Sequence, residues 1–258
     1  MQDLKIAMVQ TAQYWEDIDA NLKHFREKIE AIKEHVDIIV LPEMFSTGFS
    51  MNPSKLAESM EGRTIGWMNE MAKSADAVIT GSIIIAEHGH YYNRLIWMQP
   101  DGQHQYYDKR HLFSMAGEEK EYTAGTKKLL VSVHGWKICP LVCYDLRFPV
   151  WMRNTEEYDV LIFTANWPIK RVHQWCKLLL ARAIENQCYV IGLNRIGVDG
   201  GGFEYTGNSM AVDTQGEIIV EIGNEDKTEI VTLNHEALEL TRRYMPFLAD
   251  RDSFEINK

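Results

Sequence analysis

No apolar stretch in this sequence approaches the roughly 18–20 residues a helix needs to cross a bilayer. Cysteine is scarce: the four thiols stand at Cys139, Cys143, Cys176 and Cys188, with no Cys-x-x-Cys and no disulfide-scaffold spacing. A chain of 258 residues can bury an adequate core without disulfide or metal staples, so nothing here calls for them. Positive charge is also in deficit, 27 Lys and Arg against 37 Asp and Glu. No basic block exceeds a pair such as Arg242-Arg243, which reads as a solvated helix end. Phosphate backbones need a basic face to displace their counterions, so a nucleic-acid partner is excluded. The opening residues Met1-Gln2-Asp3-Leu4-Lys5 lack the apolar core of a secretory signal. With unpaired thiols, this leads us to expect a cytoplasmic protein with no membrane partner. Nor is there a Pro/Ser-rich linker, a repeat or a low-complexity tract, and we expect one domain over 1–258.

What is present is a recurring alternation. Short runs rich in Ile and Val occur at 6–9, 38–41, 78–84, 138–143, 160–163 and 189–193. They are continuous rather than alternating, the pattern of strands covered on both faces. Between them lie helical periodicities: 19–34, with Leu22, Phe25, Ile29 and Ile32 on one face and Asp19 as the expected N-cap, then 64–73, 150–157 and 172–187. Hairpins are predicted around Pro100-Asp101-Gly102 and Thr214-Gln215-Gly216. The class is α/β with a mixed sheet, and the hairpin-rich middle and end suggest two packed sheets.

Three reactive residues each end a probable strand, where α/β sheets gather their ligand crevices. Glu43 follows Leu41-Pro42, Lys109 follows Tyr106-Tyr107-Asp108, and Cys143 follows Pro140-Leu141-Val142. Taken singly, each has a plain explanation: a core thiol, a helix-capping acid and a lysine in a solvated turn. Together they are chemically complementary. A thiol is little ionised at neutral pH and needs a base. Glu43 can take its proton and return it to a leaving amine. Lys109 supplies a fixed positive charge for an oxyanion, and the Tyr144 N–H is a second donor. Cys139 and Cys143 sit about 13 Å apart on a strand, too far to share a metal ion; Cys139, Cys176 and Cys188 read as packing residues.

These segments carry a resemblance. Leu41-Pro42-Glu43, Tyr107-Asp108-Lys109-Arg110-His111-Leu112-Phe113 and Leu141-Val142-Cys143-Tyr144-Asp145-Leu146-Arg147-Phe148-Pro149 resemble, in order, the three signature segments of the nitrilase superfamily of carbon–nitrogen hydrolases. The likeness continues through Thr164-Ala165-Asn166-Trp167-Pro168, Ala181-Arg182-Ala183-Ile184-Glu185-Asn186-Gln187 and Gly207-Asn208-Ser209. It implies a four-layer α-β-β-α sandwich with mixed sheets that forms a homodimer or higher homo-oligomer, uses no cofactor, and acts on a small-molecule amide. It further implies Glu43 as general base, Lys109 as transition-state stabiliser and Cys143 as nucleophile. A second carboxylate is expected from the loop before Gly125, supplied by Glu118 or its neighbour Glu119.

Nitrile-hydrolysing members typically carry Cys-Trp-Glu at the nucleophile, whereas this chain has Cys143-Tyr144-Asp145, like the amidase-type members. The combination with Asn166-Trp167-Pro168 is most similar to bacterial omega-amidases, which open the terminal amide of 2-oxoglutaramate or 2-oxosuccinamate. Other amide chemistry, on N-carbamoyl or aliphatic amides, and a catalytically silent binding fold are the alternatives. An α-keto carboxylate needs a cationic or hydrogen-bonding anchor. Arg147 is one candidate, although its spacing from Asp145 also suits an internal ion pair. Phe113, Met115, Tyr144 and Trp167 are candidate pocket walls. The segment 241–254, with Tyr244, Met245, Phe247 and Phe254, is more apolar than a free tail and is expected to pack across a subunit boundary.

Overall fold

The continuous apolar runs become the central strands of two six-stranded sheets in a computed structural model that describes residues 1–256. Strand β1 (Leu4–Gln10) leads through helix α1 (Ile18–Glu30) to β2 (Ile38–Val40), then through the single-turn α2 (Pro53–Leu56) to α3 (Arg63–Ala75). The meander β3 (Val78–Glu87), β4 (His90–Met98) and β5 (His104–Asp108) completes this half. The single-turn α4 (Glu118–Glu121) precedes β6 (Val131–Val133), β7 (Trp136–Val142), the single-turn α5 (Pro149–Met152) and β8 (Val160–Ala165). Helix α6 (Val172–Asn186) and β9 (Tyr189–Asn194) follow, then a small ribbon of β10 (Ile196–Val198) and β11 (Glu204–Thr206). The hairpin β12 (Ser209–Val212) and β13 (Ile218–Ile222) precedes β14 (Lys227–Leu233) and helix α7 (His235–Tyr244).

The sheet orders are β14-β1-β2-β3-β4-β5 and β13-β12-β9-β8-β7-β6. In each, the parallel trio lies at the centre (β1, β2, β3 and β7, β8, β9) and antiparallel strands close the flanks. The two sheets face one another across Ile6, Met8, Ile38 and Val40 on one side and Ile138, Val160, Ile162 and Ile191 on the other. The outer face of the first sheet is covered by Leu22, Phe25 and Ile29 of α1 and by Met68 and Met71 of α3. Trp175, Leu179 and Ala183 of α6 cover the second. Both faces of every central strand are thus apolar, as the unbroken Ile/Val runs require, and the layers stack α-β-β-α. Among the described residues no helix is long and apolar enough to cross a membrane.

Three local expectations are corrected. The N-cap of α1 is Asp17, not Asp19: the Asp17 carboxylate accepts the Ala20 N–H at 3.0 Å, while Asp19 sits in the first turn and pairs with Arg63. The helix expected over 150–157 stops after one turn. Asn154 is buried and takes over the turn itself, accepting from Tyr158 N (3.0 Å) and donating to the Tyr158 carbonyl (2.9 Å), while Glu157 adopts φ +61. Arg242 is not a solvated helix end. Its guanidinium holds Asp159 at 2.7 Å and the backbone carbonyls of Tyr158 and Gln187, docking α7 against the ends of β8 and α6.

Candidate active site

The topology delivers the reactive residues to one place. β2, β7 and β8 are parallel members of their sheets, and β5, reversed twice after β3, runs the same way as β2. Their C-terminal ends meet at one edge of the sandwich, where Lys109, Cys143 and Asn166 follow directly and Glu43 comes just after Leu41 and Pro42.

Each residue is fixed by its own local structure. After β2, Met44 turns with φ +43 and its N–H donates to Ser82 Oγ at 2.8 Å, which points Glu43 inward. Lys109 is held by backbone: its N–H donates to the Asn93 carbonyl (3.0 Å), and its own carbonyl accepts from Gly125 (3.0 Å). A Cβ at Gly125 would lie 2.1 Å from the Asp108 carbonyl, so only glycine permits this approach. Just before it, Asp108 grips the buried Arg94 guanidinium through both oxygens at 2.7 and 3.0 Å. Cys143 leaves β7 in the left-handed region, φ +44, at the start of a short 3-10 turn (Cys143–Arg147). For a residue with a side chain such a backbone costs roughly 1–3 kcal/mol and persists where its surroundings enforce it. Asp145 does the enforcing. Fully buried, it accepts from Val142 N (3.1 Å), Tyr107 Oη (2.8 Å), His111 N (3.0 Å) and His111 Nδ1 (2.8 Å), tying the cysteine turn to the lysine loop. His111 in turn stacks on Phe148 with 3.7 Å between ring centroids.

The polar centre is buried. Glu43, Lys109 and Glu118 have side chains with no exposed surface. Lys109 Nζ donates to Glu43 Oε1 (2.8 Å) and to Glu118 Oε1 and Oε2 (3.0 and 2.8 Å), which uses all three of its protons. Both carboxylates hold the ammonium group's pKa above its ordinary value against the opposing effect of burial. Burial first, then the Glu43 charge, raises Glu118. Four N–H donors nevertheless converge on its oxygens, from Lys109, Asn93 and Phe113, so the ionised form is the better-bonded one. Burial and the adjacent Glu43 push the Cys143 thiol well above its usual range despite the pull of Lys109. The nucleophile therefore rests as a thiol, its Sγ 3.9 Å from the Asn166 carbonyl. Tyr144 N follows the nucleophile directly and lies in the first turn of the 3-10 segment, where a backbone N–H has no intrahelical acceptor.

A cavity of about 530 Å³ opens over Cys143 and Lys109. All five expected pocket residues line it: Phe113, Met115, Tyr144, Arg147 and Trp167. The choice between Glu118 and Glu119 falls on Glu118, because Glu119 is exposed to solvent. The ion pair between Asp145 and Arg147 is not formed. Asp145 is committed to Tyr107 and His111, while Arg147 donates to Gln174 Oε1 and lies over the Trp167 ring at 4.7 Å. Neither is Lys109 in a solvated turn. Cys139 and Cys188 are fully buried, as packing residues should be, and Cys176 is half-buried. Among the described residues no group of three or more His, Cys, Asp and Glu side chains could hold a metal ion.

The site also contains residues that sequence reasoning gave no role. Asn166 donates its N–H to Glu43 Oε2 (2.9 Å) and its amide to the Glu43 carbonyl (2.6 Å); it stands within a quoted motif, so a signal existed. Arg171 lines the cavity with its guanidinium 4.9 Å from the Phe113 ring. Trp15, Phe203 and Tyr205 complete an aromatic wall on the β10–β11 ribbon side. Asn93, mid-strand in β4, donates to both Glu43 (2.9 Å) and Glu118 (3.1 Å), and no motif marks it.

A buried Glu–Lys–Cys cluster at the strand ends of an α-β-β-α sandwich is the arrangement of an amide-hydrolysing carbon–nitrogen hydrolase. The sequence profile of the carbon–nitrogen hydrolase family matches residues 5–243, and the chain belongs to that family. It is 44% identical to omega-amidase YafV of Yersinia enterocolitica over 98% of this chain and 99% of that one. It is 35% identical to 2-oxoglutaramate amidase of Bacillus subtilis over 80% and 81% of the two chains. A CN-hydrolase superfamily protein from Xanthomonas campestris, solved with an arsenic adduct in its active site, superposes with a TM-score of 0.97 at 41% identity, each chain covered completely. These relatives place the chain in the nitrilase superfamily, among enzymes that hydrolyse amides.

Proposed function

We propose that this enzyme hydrolyses the terminal carboxamide of a small 2-oxo acid amide, of the 2-oxoglutaramate or 2-oxosuccinamate type, to the acid and ammonia. One observation carries the substrate class. Arg147 and Arg171 both line the cavity beside Cys143, and among the described residues neither is ion-paired with a carboxylate. Burial, followed by the like charge of Arg171, lowers the proton affinity of Arg147. Two guanidinium-bearing residues without carboxylate partners among the residues lining one largely apolar cavity suit a carboxylate arriving with the substrate. The names of the relatives agree with this choice.

The reaction follows from the geometry. As Sγ of Cys143 attacks the amide carbon, Glu43 accepts the thiol proton and the carbonyl oxygen becomes an oxyanion. The Tyr144 N–H and the Lys109 charge stabilise it. Protonation of Glu43 weakens it as an acceptor for Lys109, which frees an ammonium proton at the moment the oxyanion forms. Glu43 then protonates the nitrogen, the C–N bond breaks and ammonia departs, leaving a thioester. Water gives its proton to Glu43 and attacks the thioester; the second tetrahedral species collapses to the acid, and the proton returns to sulfur. Glu118 touches Lys109 and keeps it charged and placed throughout.

The cavity favours a second reading, a broader aliphatic amidase. Ten heavy atoms occupy at most about 300 Å³ at the liquid-water share of about 30 Å³ each, less than the 530 Å³ present. Ammonia release from 2-oxoglutaramate, 2-oxosuccinamate, aliphatic amides and N-carbamoyl amides separates the readings. Keto-acid amides no better than simple aliphatic ones would refute the first. Cys143→Ala should abolish turnover on all of them while the circular dichroism spectrum is retained.

The assembly belongs to the same proposal. Tyr244 and Phe247 are 79% and 58% exposed, and Phe254 lies with Val150 along one surface hollow. A second copy of this chain is the occupant we assign to that apolar surface.

A further inference from the structure

We propose that Asn93 is a positioning residue that decides which oxygen of Glu43 takes the thiol proton. Asn93 sits in the middle of β4, opposite Ile84 of β3, and is 1% exposed. It is not among the cavity-lining residues, so whatever its side chain does to catalysis it does through the carboxylates. Its Nδ2 spends both protons, one on Glu43 Oε1 at 2.9 Å and one on Glu118 Oε1 at 3.1 Å. Lys109 Nζ bridges the same two oxygens at 2.8 and 3.0 Å. Two donors and two acceptors close a four-membered ring of hydrogen bonds, and the Asn93 backbone carbonyl holds the Lys109 N–H as well.

The consequence lies in the lone pairs. A carboxylate oxygen has about two acceptor positions. On Glu43, Oε1 has both filled, by Lys109 and Asn93, whereas among the described residues the one N–H donor to Oε2 is that of Asn166, at 2.9 Å. A proton leaving Cys143 can therefore settle on Oε2 without displacing a bond, and on Oε1 only by breaking one beside the Lys109 charge. Asn93 thereby fixes both the rotation of the base and the oxygen that later presents the proton to the leaving nitrogen.

The orientation of the amide is not arbitrary. Turned over, its carbonyl oxygen would face two carboxylates, so the network itself assigns Nδ2 to the carboxylate side. Its Oδ1 is then buried without a partner among the described residues. An empty buried acceptor works against folding, and an apolar side chain would avoid it. The two bonds to the catalytic carboxylates account for an amide being there at all.

This rests on Glu43 being the base, and the test separates the two ideas. Asn93→Ala and the isosteric Asn93→Asp are compared with wild type and Glu43→Gln in the full chain, by ammonia release between pH 5.5 and 9.5 and by iodoacetamide labelling of Cys143. The ionisable groups around the amide are Glu43 and Glu118, to which it donates, and Lys109, which bridges them, with Tyr122 next to Glu118 and the Cys143 thiol reached through Glu43. Losing a bond to a charged group should lower kcat by about 10- to 100-fold, with KM changed less than twofold. An N–H donor favours the ionised form of a carboxylate, so Asn93→Ala should also move the acid limb of the rate profile to higher pH. General loosening would lower the plateau without moving the limb. Unchanged kcat in a folded Asn93→Ala, a loss confined to KM, an unmoved acid limb, or failure of both variants to fold overturns the proposal. If Glu43→Gln retains turnover, the assignment of the base itself is what fails.

Discussion

Replacing Arg147 by Gln gives the sharpest test of the substrate class. In the free enzyme one arm of this guanidinium holds Gln174 and its plane lies over Trp167 at 4.7 Å, so it is oriented before substrate arrives. Glutamine keeps a polar group and removes the charge. A hydrogen bond to a charged group contributes about 1.5–3 kcal/mol, and about 1.4 kcal/mol is tenfold. Hence kcat/KM on 2-oxoglutaramate should fall about 10- to 150-fold. Stacking on Trp167 is lost as well, but that loss acts equally on any substrate. The decisive quantity is therefore a ratio, the fold loss on 2-oxoglutaramate over the fold loss on uncharged pentanamide, both read by ammonia release. If Arg147 and Arg171 grip one carboxylate, the losses in Arg147→Gln and Arg171→Gln will not add in the double variant. Arg147→Lys should recover only part of the activity, because an ammonium group lacks the planar fork. Equal losses on both substrates would refute the anchoring role, and no loss on the anionic one would refute it more simply.

Glu118→Gln should lower kcat at least tenfold, because an amide cannot accept from Lys109 and Phe113 as the carboxylate does; Glu119→Gln, at its exposed neighbour, should leave kcat unchanged. Burial pushes the Cys139 thiol up to about 12, well above its ordinary value. A pKa raised in the folded state gives stability that is complete below about pH 9 and is lost toward pH 12, at about 1.4 kcal/mol per pH unit. The stability difference between Cys139→Ala and wild type, by urea unfolding, should therefore narrow across that window, and a pH-independent difference would refute the reasoning. Deleting residues 246–258 should shift the species seen by size-exclusion chromatography to smaller size, and an unchanged assembly would remove the tail from the interface.

The elements best read in advance were those with a strong local period. The central strands announced themselves as unbroken Ile/Val runs, and α3 and α6 as apolar residues at helical spacing, because both patterns are imposed by burial of the element's own residues. The shortfalls share a cause. The segment 150–157 has helical spacing, yet Asn154 binds Tyr158 and Asn186 and closes the turn, an interaction with a partner 32 residues away that no local pattern records. Arg242 looked like a surface charge until Asp159 arrived from another strand end. In the site, Glu43, Lys109 and Cys143 were legible because each ends a strand inside a distinctive segment. Asn93 and Arg171 were not, since their meaning lies only in the partners that the fold brings to them.

The charge balance of the buried cluster explains why this cysteine works with a glutamate. Lys109 lies between two carboxylates, so the resting centre already carries a net negative charge if both are ionised. A preformed thiolate would add a second, uncompensated charge in a buried site, and burial with the Glu43 charge accordingly holds Cys143 as a thiol. Moving the thiol proton to Glu43 changes nothing in the total. It moves the negative charge from the base to the sulfur and then, as the substrate carbonyl is attacked, to the oxyanion near Tyr144 N and Lys109. The charge migrates within a group of donors built before the reaction starts, which is the condition for electrostatic stabilisation at little reorganisation cost. Ionisation is thereby tied to the arrival of an electrophile, and the strained, φ +44 cysteine stays protonated between turnovers. On this argument iodoacetamide labelling of Cys143 in the free enzyme should be slow at neutral pH and rise steeply only well above pH 9. Fast labelling at pH 7 would show a standing thiolate and require a different account of Glu43.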